Sequence, residues 1–201
     1  MTTSDVNVGA FDIEGLEKLS VAHKQYTSET SRAYDEVLHH VSDQIRSTGS
    51  IGKADMGSLL FWKRLRADSR WVRDLMVLPD KLVREQTVHA VRAVNDRSLS
   101  VRDAAVAGRA ALSPLPGFKV GDALASALLL AAAPDRMAVY DRRAQTAVEK
   151  LGLTLSSAPG RYGRYMEIIE GIRLTAHANG LDWTARDVDV ALYWLGGSKF
   201  R

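Results

Sequence analysis

The chain has 201 residues with 46% hydrophobic and 25% charged side chains, the balance of an ordinary folded protein large enough for one sizeable core. The net charge of +3 and a pI near 9.2 permit a nucleic-acid partner without demanding one. With no cysteine in the sequence, disulfides, thiolate catalysis and thiolate-held zinc or iron–sulfur clusters are excluded.

The opening residues, Met1 to Asp5, are polar and carry no apolar signal core behind them. Residues 1–10 are expected to be a disordered leading segment, and 11–201 a single helical domain. Phe11 to Ile45 carries apolar residues from Leu16 to Ile45, and its second half has helical spacing. Ser47 to Gly52 reads as a linker, and Asp55 to Met76 as one or two helices. Pro79 is placed to start the next helix, which repeats at Leu82, Val83, Val91 and Val94. Val101 to Leu112 is an alanine-rich helix whose small side chains let a neighbour approach closely. Ser113 to Gly117, with two prolines, cannot continue it. Ala123 to Ala132 is a strongly apolar helix, ended by Pro134-Asp135. The apolar run there, Ala123 to Ala133, is too short to span a bilayer, so a cytoplasmic protein without membrane contact is expected. Asp141 to Leu151 is a further helix with Gly152 as its C-cap, and Tyr162 to Asn179 is another. Thr184 to Trp194 closes the series before Gly196-Gly197. No segment alternates apolar and polar over a strand length, so the predicted class is all-α.

The chemistry concentrates between Leu112 and Leu153. A helix meets a tight hairpin, Leu115-Pro116-Gly117-Phe118-Lys119-Val120-Gly121, then a second helix, then a short loop that delivers Asp141 to the start of a third. Hairpin amides at the head of a helix suit a phosphodiester, Gly121 permits close approach or a special backbone angle, and Lys119 adds charge. Such contacts hold DNA without reading its sequence.

Leu115-Pro116-Gly117, Gly121, Pro134, Val139, Asp141, Arg142-Arg143 and Leu151-Gly152, in that order over about forty residues, resemble the helix–hairpin–helix DNA glycosylase superfamily. Gly160 to Tyr165 and Asp187 to Trp194 are similar to the C-terminal part of poorly characterised bacterial relatives. The resemblance implies two packed helical lobes with a cleft between them, duplex DNA as partner, and a damaged or modified base flipped out before its N-glycosidic bond is cut. Asp141 matches the catalytic aspartate, which stabilises positive charge on the sugar or orients water. Gly117, Phe118, Lys119, Gly121, Arg142 and Arg143 match DNA-contacting positions. The resemblance implies no cofactor beyond room for a monovalent cation at the hairpin carbonyls. The hairpin is about two residues longer than the family pattern, and Ala123 stands where bifunctional members place a lysine, so lyase chemistry is not expected.

Beside this stands a plainer reading of the same residues. Asp141 before a helix is ordinarily an N-cap, and a hairpin lysine is ordinarily solvated. Trp62-Lys63-Arg64-Leu65-Arg66, with Trp71, reads either as a phosphate-tracking face to which Lys63 and Arg64 contribute, or as buried tryptophans with solvated cations. Tyr162, Arg164 and Tyr165 are candidates for a base pocket. The adjacent His39 and His40 point about 100° apart on a helix and do not chelate, and no metal site is read. Two functions follow, a monofunctional DNA glycosylase or a catalytically inactive DNA-binding or regulatory protein that keeps the fold, with a helical interaction protein without a nucleic-acid role as a third.

Overall fold

A computed structural model describes residues 11–197, and the leading segment 1–10 expected to be disordered lies outside them. Among the described residues there are ten α-helices and no β-strand: α1 (Ile13–Glu29), α2 (Glu36–Thr48), α3 (Lys53–Trp62), α4 (Arg70–Met76), α5 (Asp80–Asn95), α6 (Val101–Leu112), α7 (Ala123–Ala132), α8 (Arg142–Lys150), α9 (Arg161–Ala178) and α10 (Ala185–Gly197). The all-α class holds. No helix is long and apolar enough to cross a membrane among these residues.

Two boundaries differ from the sequence reading. The stretch from Phe11 to Ile45 is not continuous: α1 stops at the extended Thr30, Ser31 accepts a bond from the amide of Ala33, and a 3₁₀ turn (Arg32–Asp35) leads into α2. The Ser31 hydroxyl, bonding the backbone two residues on, competes with the helix and ends it there. At the other end, α10 runs through Gly196-Gly197 rather than stopping before them.

The buried residues form one continuous cluster that includes Leu59, Leu112, Leu128 to Leu130, Tyr165, Ile169 and Leu192. α6 packs on α5 and α9, α10 packs on α1 and α8, and α2 packs on α3 and α7. The short, apolar α7 sits inside this shell, with Ala125 to Ala131 all buried, and so needs no polar face.

After a turn at residues 134–136, the stretch from Met137 to Tyr140 is buried and has no helix or sheet to satisfy its backbone. Side chains do so instead. The hydroxyl of Tyr162 donates to the carbonyl of Ala138 at 3.0 Å, that of Tyr165 donates to Val139 at 3.0 Å, and Ser126 accepts from the amide of Tyr140 at 2.9 Å. The Arg136 guanidinium donates to the carbonyls of Val94, Asp96 and Leu99. This lattice fixes where the chain emerges at Asp141.

Candidate functional site

Asp141 is the N-cap of α8. Its Oδ1 accepts from the amides of Arg143 at 2.9 Å and Ala144 at 3.1 Å. Its other oxygen, Oδ2, accepts from the ammonium of Lys63 at 2.7 Å, an ion pair whose side chains are 20% and 13% exposed. The capping role therefore accounts for only half of the carboxylate. Burial raises the Asp141 carboxyl, but Lys63 and the two amides outweigh it and hold the group below the ordinary carboxylate range.

Lys63 is the C-cap residue of α3, and it reaches Asp141 across 78 positions of sequence. The two line a small cavity with Tyr26, Tyr34, Trp62, Val139, Ala144, Arg186, Asp189, Val190 and Tyr193. Its free space is about 30 Å³, small beside the roughly 300–1,000 Å³ of ordinary ligand pockets. Behind the pair lies a second set of charges. Arg186 on α10 donates to both oxygens of Asp35 at 3.0 and 2.8 Å and to Asp189. Trp62 donates from its indole to Asp35 at 3.1 Å, and the Arg186 guanidinium lies 5.3 Å from the Trp62 ring. Burial raises the Asp189 carboxyl above the ordinary range, against the pull of Arg186 and Lys63.

The rim is cationic. Arg64 donates to the hydroxyl of Tyr193 at 3.1 Å, and Arg143 lies over the Tyr193 ring at 4.5 Å. Arg64 has a φ of +54°, the left-handed region, at the position after the α3 C-cap where glycine is usual. That conformation costs an L-residue roughly 1–2 kcal/mol. Arg64→Gly is therefore expected to raise stability by about 0.5–1 kcal/mol, after the larger chain entropy of glycine is deducted. Thermal unfolding checks this as a Tm rise of about 2 °C for a chain of this length. A fall in Tm would show that the contacts with Tyr193 outweigh the strain.

The hairpin between α6 and α7 forms as expected, with positive φ at Gly117 (+88°) and Gly121 (+86°). A Cβ at Gly117 would also stand 2.3 Å from the Trp71 ring, so this glycine answers both an angle and a neighbour. Space around Gly121 is open, so there the angle alone selects glycine. Lys119 and Val120 are exposed at the tip. Phe118 is not a surface residue: it is 1% exposed and packs edge-on against Trp71, so its side chain has no face to offer DNA. Its carbonyl, with that of Gly121, accepts from Arg109, which is braced by Asp122. Those two carbonyls already face a guanidinium and do not fit a monovalent cation as well.

Tyr162, Arg164 and Tyr165 lie away from the Asp141 cavity and serve the framework, and Tyr162 also lines a separate surface cavity beside Lys119 and Gly121. All three are buried; the tyrosines hold the segment before Asp141, and Arg164 donates to the carbonyls of Ser156, Ala158 and Pro159. Lys63 does not lie on the outer face but points inward to Asp141. Arg142 and Arg143 at the head of α8, with Arg64 and Lys119, are exposed. The residues that sequence reasoning missed are Asp35, Arg186, Asp189 and the tyrosines at 26, 34 and 193. Asp189 left a signal, since it lies on the same α10 stripe as Ala185, Val188, Leu192 and Leu195, where an acid demands a partner.

No known protein family, no curated protein and no solved structure matches this chain. Among the described residues no cluster of three or more histidine, aspartate or glutamate side chains is arranged to hold a metal.

Proposed function

We propose that this chain is a duplex-DNA-binding protein of the helix–hairpin–helix glycosylase kind, built as two helical lobes about a cleft, which takes a damaged or modified base out of the stack and cuts its N-glycosidic bond with Asp141. One observation carries the reading. Asp141 is held ionised in an aromatic-walled cavity, at the end of a segment that six side-chain hydrogen bonds from Tyr162, Tyr165, Ser126 and Arg136 pin in place. A carboxylate kept charged and fixed is what a developing oxocarbenium ion requires. The exposed cations Lys119, Arg64, Arg142 and Arg143 supply phosphate contacts around it. Arg109 does for the hairpin carbonyls what a cation would otherwise do, so the reading calls for no cofactor.

A second reading, a DNA binder without chemistry, draws on two facts. Both Asp141 oxygens are engaged, and the cavity is small, so a base enters only after Lys63 moves. Base release from a panel of damaged duplexes separates the two. The wild type is expected to release base, and Asp141→Asn to lose about 10²–10⁴-fold in rate while binding the duplex. Affinity should fall with salt at about 0.9 logarithmic units per phosphate contact, and Lys119→Ala with Arg142→Ala should flatten that slope. Binding without release of any base supports the second reading, and binding indifferent to salt removes both.

A further inference from the structure

We infer that Lys63 is the group that meets the leaving base, so that the site works as an ammonium–carboxylate pair divided across the bond it breaks; this rests on the proposed glycosylase reading. Cleavage of an N-glycosidic bond develops two charges at once. The sugar carbon C1′ becomes positive, and the base nitrogen becomes negative as it takes the bonding electrons. A carboxylate meets only the first of these. The structure places the complementary group, the Lys63 ammonium, 2.7 Å from Asp141 Oδ2 and on the wall of the same cavity. A bond whose sugar end lies against Asp141 therefore has its base end within one side-chain swing of Lys63.

The pairing also explains how the handover starts. Lys63 occupies the Asp141 oxygen that the capping amides leave over. An entering base displaces the ammonium from Oδ2 and offers it a new acceptor. The same movement frees Oδ2 for the sugar. In the reaction the C1′–N bond breaks with its electrons going to the base nitrogen, and Lys63 gives that nitrogen a proton. Water adds to C1′, and its released proton returns through Asp141 to the Lys63 amine. Atoms and charge balance, with free base and an abasic sugar as the products. Arg186, the other cation in the cavity, is committed to Asp35 and Asp189. The resemblance noted above does not supply this role. The lysine of the bifunctional members falls on Ala123, whereas Lys63 comes from the end of α3.

Single-turnover base release from duplexes holding uracil, 5-fluorouracil, hypoxanthine or the already cationic 7-methylguanine tests the inference. Bases that leave easily need no proton. Lys63→Gln is expected to slow uracil and hypoxanthine release by about 100-fold or more, as loss of a general acid does. 5-Fluorouracil should lose less, and 7-methylguanine should stay within about threefold. Lys63→Arg, which keeps the charge but holds its proton too tightly to give it up, should stay nearly as slow as Lys63→Gln for the neutral bases, and full rescue by it would overturn the proton transfer. Equal loss for every base would assign Lys63 to positioning Asp141 and overturn the inference, as would no loss, or a wild type that releases only the cationic base. A wild type that binds these duplexes and releases nothing would overturn the catalytic reading, and a wild type that fails to bind them would overturn the DNA reading. Circular dichroism of both variants separates misfolding from lost chemistry.

Discussion

Arg186→Met is expected to cost the fold about 3–5 kcal/mol, the range for removing one partner of a buried ion pair. Arg186 is the common donor to two carboxylates. Asp35 takes both of its bonds at 2.8 and 3.0 Å, and Asp189 takes another on the same helix. The Asp189 side chain is only 5% exposed, so little solvation replaces the guanidinium once it is gone. The Tm of the variant should fall by roughly 10 °C for a protein of this size. The loss depends on pH, and its sign follows from Asp189. Burial already holds that carboxyl above the ordinary range, and loss of Arg186 moves it further up. The folded variant then keeps a proton that the unfolded chain has lost. Its stability falls as pH rises through and above the ordinary carboxylate range, and recovers as pH drops back into that range. The double variant Arg186→Met, Asp189→Leu should recover much of the loss at neutral pH, because an apolar pair of similar volume needs no compensation. Asp35, 21% exposed and still accepting from the Trp62 indole, tolerates the change better. A single variant as stable as the wild type at pH 7 would mean that the three charges are solvated more than their burial indicates.

The helices were legible in the sequence because each carries its own periodicity and punctuation. Gly117 and Gly121 stood out as hairpin glycines, and both have the positive φ that explains them. Asp141 stood out as a residue delivered by a loop to a helix start, and it caps α8. What sequence could not show was the other half of that carboxylate's surroundings. Lys63 sat in a basic run, Trp62 to Arg66, that reads equally as a solvated face, and only the fold carries it 78 positions to Asp141. The errors share a cause. Phe118, Tyr162 and Tyr165 are aromatic residues beside basic ones, a pattern shared by binding surfaces and by a core whose rim is charged. Here burial decided. The Phe118 ring packs under the hairpin against Trp71, and the two tyrosine hydroxyls serve carbonyls of a segment that has no regular partner. A buried stretch without secondary structure must recruit side-chain donors, and their positions depend on which helix passes over it.

Gly196 is where the misjudged end of α10 bears on the site. A Gly196-Gly197 pair predicts a helix stop, but α10 runs through both, and their missing side chains let α8 in. A Cβ at Gly196 would stand 1.9 Å from the carbonyl oxygen of Arg143 and 2.6 Å from its carbonyl carbon. Those atoms belong to the first turn of α8, two residues after Asp141, and cannot step aside without moving the helix. Gly196→Ala is therefore expected to destabilise by about 3 kcal/mol, the upper part of the overpacking range, with a Tm lower by roughly 6–12 °C. It should also loosen the Lys63–Asp141 pair. NMR titration would read this as a rise of the Asp141 carboxyl from its depressed position toward the ordinary range. Gly197→Ala is the control one residue on. A Cβ there would meet the guanidinium end of Arg143 at 2.8 Å, a flexible group that can swing into solvent. Its cost should stay within about 0.5 kcal/mol, as for surface substitutions generally. If the two alanine variants melt together, the close approach of α8 to α10 is not what fixes the position of Asp141, and the pinned segment from Ala133 to Tyr140 does so alone.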